Sequence, residues 1–231
     1  DAVWLLGQDT APEPDALARL TASLEVAPSV AYVAPKLVRW DEGDSIVSLG
    51  QSMTRFGRSV ELTDGELDQG QHDTREDVLG ADVRGLLVRA TAWERFGGVD
   101  KALMGADEGL DLGVRARLAG DRVAMSPSAV IAVAGDGAAG LAEPTTRRRI
   151  RHRAFASRAA ALHRRLVYAA PLAMVLHWLA ILPLALWRTL VHLLAKRPVM
   201  IVPEIRAAFV EMFRWRAVAS ARKRIRLLRP N

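Results

Sequence analysis

The acids that could do chemistry are concentrated in one short stretch near the middle of the chain. Asp107, Glu108 and Asp111 lie within five residues of one another, and Arg115 follows Asp111 by four positions. A positioned carboxylate can act as a general base that takes the proton from an attacking hydroxyl group. On a helix, the i, i+4 spacing of Asp111 and Arg115 also suits a purely structural ion pair. Both interpretations of this pair remain open at this point.

Another candidate acid follows the first predicted strand. Residues 1–6 are apolar, with β-branched and aromatic types, which predicts a buried central strand ending shortly before Asp9. Acids at the carboxyl end of a strand lie where open α/β sheets bind ligands. Carboxylate oxygens are also the ligands that hard divalent cations prefer. Asp9 is therefore a candidate metal ligand, with helix capping as the alternative.

Three longer sequence patterns surround these acids. Residues 8–17 read Q-D-T-A-P-E-P-D-A-L, residues 93–100 read W-E-R-F-G-G-V-D, and residues 111–120 read D-L-G-V-R-A-R-L-A-G. Together with the acidic loop, they resemble the catalytic domain of inverting family-2 glycosyltransferases, which has the GT-A fold. The polar string G-E-L-D-Q-G-Q-H-D at residues 65–73 is similar to one in a subset of large bacterial membrane glycosyltransferases.

This resemblance implies a role for each candidate residue. Asp9 would hold a divalent metal, Mg²⁺ or Mn²⁺, on the diphosphate of a nucleotide-sugar donor. Three acids would have catalytic roles on the acceptor side: Glu108, Asp111 and Asp107. Three further residues would contact the donor or the acceptor: Gly85, Arg115 and His72. A turn residue satisfied by its neighbours is the simpler alternative for the histidine.

The sequence departs from the family pattern at three polar positions. Gln8 stands where a second acid is common, and Gly109 takes the place of the general base when Asp111 and Arg115 are aligned. No histidine occurs at residues 131–134, where the family often has one. These departures support an alternative of a different class, a non-catalytic glycosyltransferase-like membrane subunit that binds a partner enzyme or a glycan.

The elements predicted around these residues are those of an α/β domain. Leu17, Leu20 and Leu24 have helical spacing, which predicts an amphipathic helix over residues 15–27 that covers the sheet. Thr91, with an acid three residues later, has the pattern of a helix N-cap with its capping box. The remaining apolar runs predict four strands, at residues 30–34, 83–89, 122–125 and 129–134.

Charge divides the chain into two unlike parts. Residues 1–143 carry 13 Lys or Arg against 24 Asp or Glu, whereas residues 144–231 carry 19 against 2. A strongly basic segment binds either anionic lipid or nucleic acid. An apolar run lies inside the basic part, and this favours membrane over nucleic acid. The absence of cysteine excludes a disulfide framework and any thiolate metal site.

The basic part contains three segments with different patterns. Residues 141–165 carry eight arginines among alanines and leucines, which predicts a basic juxtamembrane helix. Residues 166–194 are mostly apolar and contain Pro183, which predicts a kinked transmembrane or re-entrant helix. Residues 195–231 alternate apolar and basic positions, and residues 203–228 predict an amphipathic helix at the membrane surface.

The predicted fold class is α/β, with a partial GT-A (Rossmann-like) domain at residues 1–140 and an all-α basic membrane-associated tail. Because a core strand is predicted at the first residues, we expect this domain to lack its N-terminal nucleotide-binding part. The predicted function is transfer of a sugar, with inversion, from a nucleotide-sugar to a lipid-linked or cell-envelope glycan. We expect a location at the cell membrane, with the catalytic domain on the cytoplasmic side, contact with anionic lipids and no nucleic-acid partner.

Overall fold

The computed structural model describes residues 1–26, 28–63, 65–135 and 146–228. The strands are β1 (Ala2–Trp4), β2 (Thr10–Pro12), β3 (Val30–Arg39), β4 (Ser45–Ser48), β5 (Gln51–Met53), β6 (Ser59–Glu61), β7 (Glu66–Leu67), β8 (Leu87–Arg89) and β9 (Arg122–Val133). The helices are α1 (Ala16–Glu25), α2 (Ala90–Phe96), α3 (Glu108–Leu118), α4 (Arg147–Tyr168), α5 (Pro171–Leu179), α6 (Ile181–Leu194), α7 (Ile201–Phe213) and α8 (Trp215–Leu228). We call residues 1–135 the sheet domain and residues 146–228 the helical region.

The sheet is mixed and is built around the long parallel pair of β3 and β9. β8 and β4 pair antiparallel with the two halves of β3, and β2 pairs antiparallel with the end of β9. The pairing shifts between Pro35, opposite Ser126, and Lys36, opposite Val130. The prediction of a strand that ends at residue 34, directly before Pro35, was therefore wrong, and the two strands predicted at residues 122–125 and 129–134 are one strand. Residues 127–129 of β9 have no paired residue on β3 at this shift, so β9 bulges there.

The first strand lies at the edge of the sheet, whereas the sequence predicts it at the centre. Within the described residues, β1 pairs only with β8, and Ala2 is exposed. The indole Nε1 of Trp4 donates a hydrogen bond to the carbonyl oxygen of Gly85 at 3.1 Å. An apolar run of this length does not distinguish an edge strand from a central one, because burial depends on the neighbours that the fold supplies.

Helices cover both faces of the sheet. On one face, Leu20 and Leu24 of α1 pack against Val33, as the helical spacing predicts, but Leu17 is exposed and Ala16 is buried in its place. On the other face, α2 and α3 pack on β3 and β8. The prediction of a capping box at Thr91 was wrong, because the N-cap of α2 is Arg89, two residues earlier, and its side chain makes no capping hydrogen bond.

The helical region packs against the α2 and α3 side of the sheet domain. α4 contacts α7, α8 and the 3-10 turn Lys101–Leu103, and α8 contacts α2 and α3. The guanidinium of Arg222 donates to the last carbonyls of α4, at Leu166, Val167 and Ala169, and so caps that helix. The helix predicted over residues 203–228 is two helices, which separate at Arg214. Its guanidinium bonds to the carbonyl oxygen of Ala102 at 3.1 Å.

Helix length bears on whether the apolar segment at residues 166–194 could cross a membrane. This segment contains the end of α4 together with α5 and α6. The axes of α5 and α6 differ by 48°. In the part of the chain that the structure describes, no single helix is long and apolar enough to cross a membrane, although the bent pair α5–α6 passes on combined length and composition. Pro183 lies in the first turn of α6, where a proline costs no helical hydrogen bond.

Candidate active site

Asp9 is held by an arginine that the sequence analysis did not single out. It is buried in the turn after β1, and its Oδ2 lies 3.0 Å from a guanidinium nitrogen of Arg84. The same guanidinium bonds to Asp82 at 2.8 Å and to the carbonyl oxygen of Gly135 at 2.7 Å. Burial opposes the charge of Arg84, but the two carboxylates outweigh it and raise the pKa of the guanidinium above its ordinary value.

This arrangement does not fit a divalent cation. The positive charge that a metal would bring to Asp9 and Asp82 is already supplied by Arg84. Gln8 is exposed and adds no carboxylate. Across the described ranges, no three His, Cys, Asp or Glu side chains gather closely enough to hold a metal ion. Asp9 as a metal ligand therefore stays a prediction, which this geometry does not support.

A carboxylate outside the predicted set, that of Glu61, lies near Asp82 and Asp107, and we call these three acids the polar cluster. Glu61 ends β6 and accepts hydrogen bonds from the hydroxyl of Ser48 at 2.8 Å and from the amide of Gln51. Burial, reinforced by the charges of Asp82 and Asp107, raises the pKa of Glu61 from 4.5 to about 7. A carboxyl group with this pKa exchanges protons near neutral pH.

Asp107 forms the junction between the acidic loop and the helical region. It is the N-cap of α3, with a left-handed backbone (φ 55°). Its Oδ2 accepts hydrogen bonds from the hydroxyl of Ser59 at 2.9 Å and from the guanidinium of Arg164 at 2.7 Å. Arg164 is fully buried and also donates to the carbonyl oxygen of Gly57. An acid held in this way is already paired with a positive charge.

Asp111 is bound from two sides. Arg115 lies 2.9 Å from its Oδ2, which confirms the structural i, i+4 ion pair, and the hydroxyl of Tyr168 donates to its Oδ1 at 2.6 Å. Arg115 also donates to the carbonyl oxygens of Phe96 and Gly98. Burial and the charge of Asp111 raise the pKa of Tyr168. All three side chains are held in contacts that fasten α3 to the Gly-Gly turn and to α4.

Glu108 differs from its two neighbours because it has no ion pair among the described residues. It lies in the first turn of α3 and is half-buried. Burial raises the pKa of Glu108, and the charges of Asp111 and Asp100 act in the same direction. Glu61 of the polar cluster and Glu108 at the start of α3 are thus the two candidate acids that have no ion pair with any described residue.

The glycine at the position of the family base is required by packing. A Cβ atom at Gly109 would lie 2.1 Å from the carbonyl oxygen of Ala81, and one at Gly113 would lie 2.0 Å from that of Leu79. The start of α3 therefore lies directly on the backbone of residues 79–83. The hydroxyl of Tyr32 donates to the carbonyl oxygen of Gly109 at 2.9 Å. An acid at this position would have no room for its side chain.

The predicted substrate-contacting residues lie in different places. Gly85 has φ 83°, and a Cβ there would meet the side chains of Ile131 and Pro35, so its backbone is packed inward. His72 lies on the 65–73 loop, 2.9 Å from the carboxylate of Glu66. Buried Lys36 anchors that loop through two acids, Asp68 at 2.7 Å and Asp73 at 2.6 Å. The roles assigned to Gly85, Arg115 and His72 in substrate binding stay predictions.

Sequence reasoning missed Arg84, Arg164 and Glu61, and a signal was present for two of them. Arg84 interrupts an apolar run directly before a glycine. Arg164 follows Phe155, Ala159 and Ala160 at spacings that place it on the buried side of α4. Glu61 gave no such signal, because the short hairpin that carries it lies between residues 35 and 82, where no strand is predicted from the sequence.

Comparison with known proteins identifies the family. A family model described as glycosyltransferase-like family 2 matches residues 1–168, which includes the whole sheet domain and α4. None of the curated proteins matches the chain. The mixed α/β sheet followed by helices is consistent with a GT-A-like domain. The match covers well over half of the chain, and the chain belongs to glycosyltransferase family 2.

Proposed function

We propose that the chain transfers a sugar from a nucleotide-sugar donor to a lipid-linked or cell-envelope glycan, with inversion at the anomeric carbon. Membership of glycosyltransferase family 2 supports sugar transfer in general. The observation that carries the chemistry is the polar cluster of Glu61, Asp82 and Asp107, in which one carboxyl group titrates near neutral pH. A basic carboxylate beside the acceptor is what an inverting transfer needs.

Glu61 and Glu108 are the proposed general-base candidates. The base takes the proton of the acceptor hydroxyl while the acceptor oxygen forms a bond to the anomeric carbon. The bond from that carbon to the diphosphate oxygen breaks, and the nucleoside diphosphate leaves with the electron pair. Asp107 and Asp111 are occupied by Arg164 and Arg115, so we assign them to positioning the start of α3. No step is assigned to a metal.

The proposed location is the membrane surface, with the sheet domain facing the cytoplasm. The helical region turns large apolar side chains outward along α5 and α6, including Leu176, Leu186 and Trp187. On α7, Ile205, Phe209 and Phe213 form an exposed apolar stripe. A surface of this kind beside arginines suits a helix that lies in the interface of an anionic membrane.

Two observations favour a second candidate function, a non-catalytic subunit that binds a partner enzyme or a glycan. Arg84 neutralises Asp9, and the tight packing at Gly109 leaves no room for the family base. A chain that has lost donor binding would retain the fold for recognition alone.

Release of nucleoside diphosphate separates the two candidates. The full chain is incubated in lipid vesicles with a panel of nucleotide sugars and an extract of lipid-linked glycans, and the product anomer is read by NMR. We expect turnover with one donor and a loss of about 10²- to 10⁴-fold in either Glu61→Gln or Glu108→Gln. Glu25→Gln, on the exposed surface of α1, is the matched control and should be fully active.

Each failure has a distinct meaning. Full activity in both variants would remove Glu61 and Glu108 as bases while leaving the transferase assignment intact. Absence of turnover and of binding with every donor would favour the non-catalytic subunit.

A further inference from the structure

A large groove runs beside the contact between the turn of the β5–β6 hairpin and the helical region. It has a volume of about 960 Å³ and lies between the turn at residues 54–58, α4, α6 and the start of α7. We call it the arginine groove, because four arginines line it: Arg58, Arg158, Arg165 and Arg188. Its volume falls within the range of sites that enclose organic ligands.

The charges in the arginine groove are not balanced. Glu204 is the one acid among its lining residues, and its two oxygens bind Arg158 at 2.8 Å and Arg188 at 3.0 Å. Arg58 and Arg165 have no ion pair with any described residue. The Nε atom of Arg165 is buried without a hydrogen-bond partner. Burial lowers the pKa of Arg165, and an anion placed beside it would relieve this cost. The groove therefore carries an excess of positive charge.

The rest of the groove wall is apolar. Phe56 lies under the guanidinium of Arg165, which is 5.2 Å from the ring centroid. Trp187 and Val191 of α6 line the same groove and are 62% and 42% exposed. Positive charge beside exposed aromatic and aliphatic surface is complementary to a molecule with an anionic head and a hydrocarbon chain.

The hairpin connects the arginine groove to the polar cluster. A Cβ atom at Gly57 would lie 2.7 Å from the backbone of Ala161 and of Arg165, so the turn lies tightly on α4. Two residues further along the same hairpin, Ser59 bonds to Asp107. Glu61 ends the strand that this turn begins. A ligand head in the groove would thus sit one short strand away from the proposed base.

We propose that the arginine groove binds the phosphate of a lipid phosphate, with its hydrocarbon chain along Phe56, Trp187 and Val191. This deepens the proposed function, on which it rests, by giving the lipid-linked acceptor a place. The guanidiniums of Arg165 and Arg58 meet the phosphate. The sugar end of such an acceptor lies toward Glu61.

Binding of dodecyl phosphate tests the groove directly. Native mass spectrometry of the full chain in a nonionic detergent measures the bound fraction of dodecyl phosphate, dodecanol and inorganic phosphate. We expect dodecyl phosphate to bind at least about tenfold more tightly than either partial probe, because each probe lacks one half of the contacts. Arg165→Gln should weaken dodecyl phosphate binding about tenfold, and Trp187→Ser should weaken it severalfold.

Arg216→Gln is the matched control, since Arg216 is exposed on α8 outside the groove and should bind as the wild type does. Equal affinity for inorganic phosphate would mean a free-phosphate site and would overturn the lipid assignment. So would wild-type binding by both Arg165→Gln and Trp187→Ser. The exposed position of Trp187 keeps the second variant informative if the first fails to fold.

Sugar transfer to a water-soluble glycan, measured in the same variants, separates the two proposals. Transfer without arginine-dependent binding of dodecyl phosphate would contradict the lipid-phosphate site and leave the transferase proposal intact. Arginine-dependent binding without transfer would contradict the transferase proposal and leave the lipid-phosphate site intact.

Discussion

The sheet domain and the helical region differ in the side chains that they turn outward. Eight exposed large apolar side chains lie in the sheet domain, against 17 in the shorter helical region. Inside the helical region, the contacts between helices use small residues, with Ala159, Ala160, Ala207 and Ala208 all buried. Small residues between helices and large apolar residues outside are the pattern of helices that face lipid. The two regions therefore differ in the surfaces that they present, and this difference is what the proposed membrane location rests on.

Several arginines of the helical region lie elsewhere than the sequence predicts. The sequence predicts them as a basic surface toward anionic lipid, but several turn toward the protein. Arg164 is fully buried on Asp107, Arg224 lies 2.7 Å from Asp100, and Arg222 caps α4. We call the contacts that join the two regions the polar seam; its members are Asp107–Arg164, Asp111–Tyr168, Asp100–His163 and Asp100–Arg224.

Breaking the polar seam at its most buried ion pair has the largest expected effect. Arg164→Met leaves Asp107 without its cation, and we expect the free energy of unfolding to fall by about 3 to 5 kcal/mol. Chemical unfolding in a nonionic detergent measures this. Adding Asp107→Asn should recover part of the loss, because the unpaired charge is then removed. An unchanged stability in Arg164→Met would mean that the two regions are not joined there.

A pair of leucine substitutions tests the comparison itself. Leu112→Ala empties space in the core of the sheet domain and should cost about 2 to 5 kcal/mol of stability. Leu194→Ala removes a side chain that is 75% exposed and should change stability by less than about 0.5 kcal/mol while weakening vesicle binding. A large loss of stability in Leu194→Ala would show that this face is covered by protein instead.

The seam should also loosen at alkaline pH. His163 lies 3.6 Å from Asp100 and 3.3 Å from Glu211. Asp100 also pairs with Arg224, and Glu211 also pairs with Arg214. Burial alone would lower the pKa of His163, but the two carboxylates reverse this and raise it from 6.5 to about 9. A raised pKa stabilises the folded state fully below pH 6.5, and this stability is lost as pH rises toward 9.

We expect a loss of roughly 2 to 3 kcal/mol over that window, measured as unfolding free energy against pH. His163→Gln should flatten the curve, whereas His72→Gln, on an exposed loop, should leave it unchanged. Stability that rises between pH 6.5 and 9 in the wild type would contradict the charged histidine.

A glycine substitution examines the sheet domain alone, and its expected loss of stability is smaller than those of Arg164→Met and Leu112→Ala. Gly109→Ala places a methyl group against the carbonyl oxygen of Ala81, and we expect a loss of about 1 to 3 kcal/mol in thermal unfolding. Gly43→Ala is the matched control, because a Cβ there would meet no atom within 4 Å. Equal stability of the two variants would mean that position 109 can accept a side chain, including the family's acid.

The fold could be predicted from the sequence where a local pattern decides it. The α/β class, the helix over residues 15–27 and the strand at β8 follow from apolar periodicity. The position of β1 at the edge and the joining of two strands into β9 depend on partners far along the chain. The break of the last helix at Arg214 also depends on such a partner, because its side chain binds the sheet domain.

The candidate site was predictable in its acids and not in their partners. The sequence indicates Asp9, Asp107, Glu108 and Asp111. The partners of three of them, Arg84 for Asp9, Arg164 for Asp107 and Tyr168 for Asp111, lie 57 to 75 positions away in the chain. Such pairs leave no trace in local spacing, except for Asp111 and Arg115. The sequence treats Gly109 as a lost base, whereas the structure gives it a packing role.

Quenching of tryptophan fluorescence by brominated lipid tests the central claim that the helical region lies in the membrane surface and the sheet domain does not. Three of the six tryptophans lie in each region, and Trp40 and Trp187 are equally exposed at 62%. With the full chain on anionic vesicles, we predict that Trp187→Phe removes a large share of the quenchable fluorescence and Trp40→Phe removes none. Equal losses, or a loss confined to Trp40→Phe, would contradict the account.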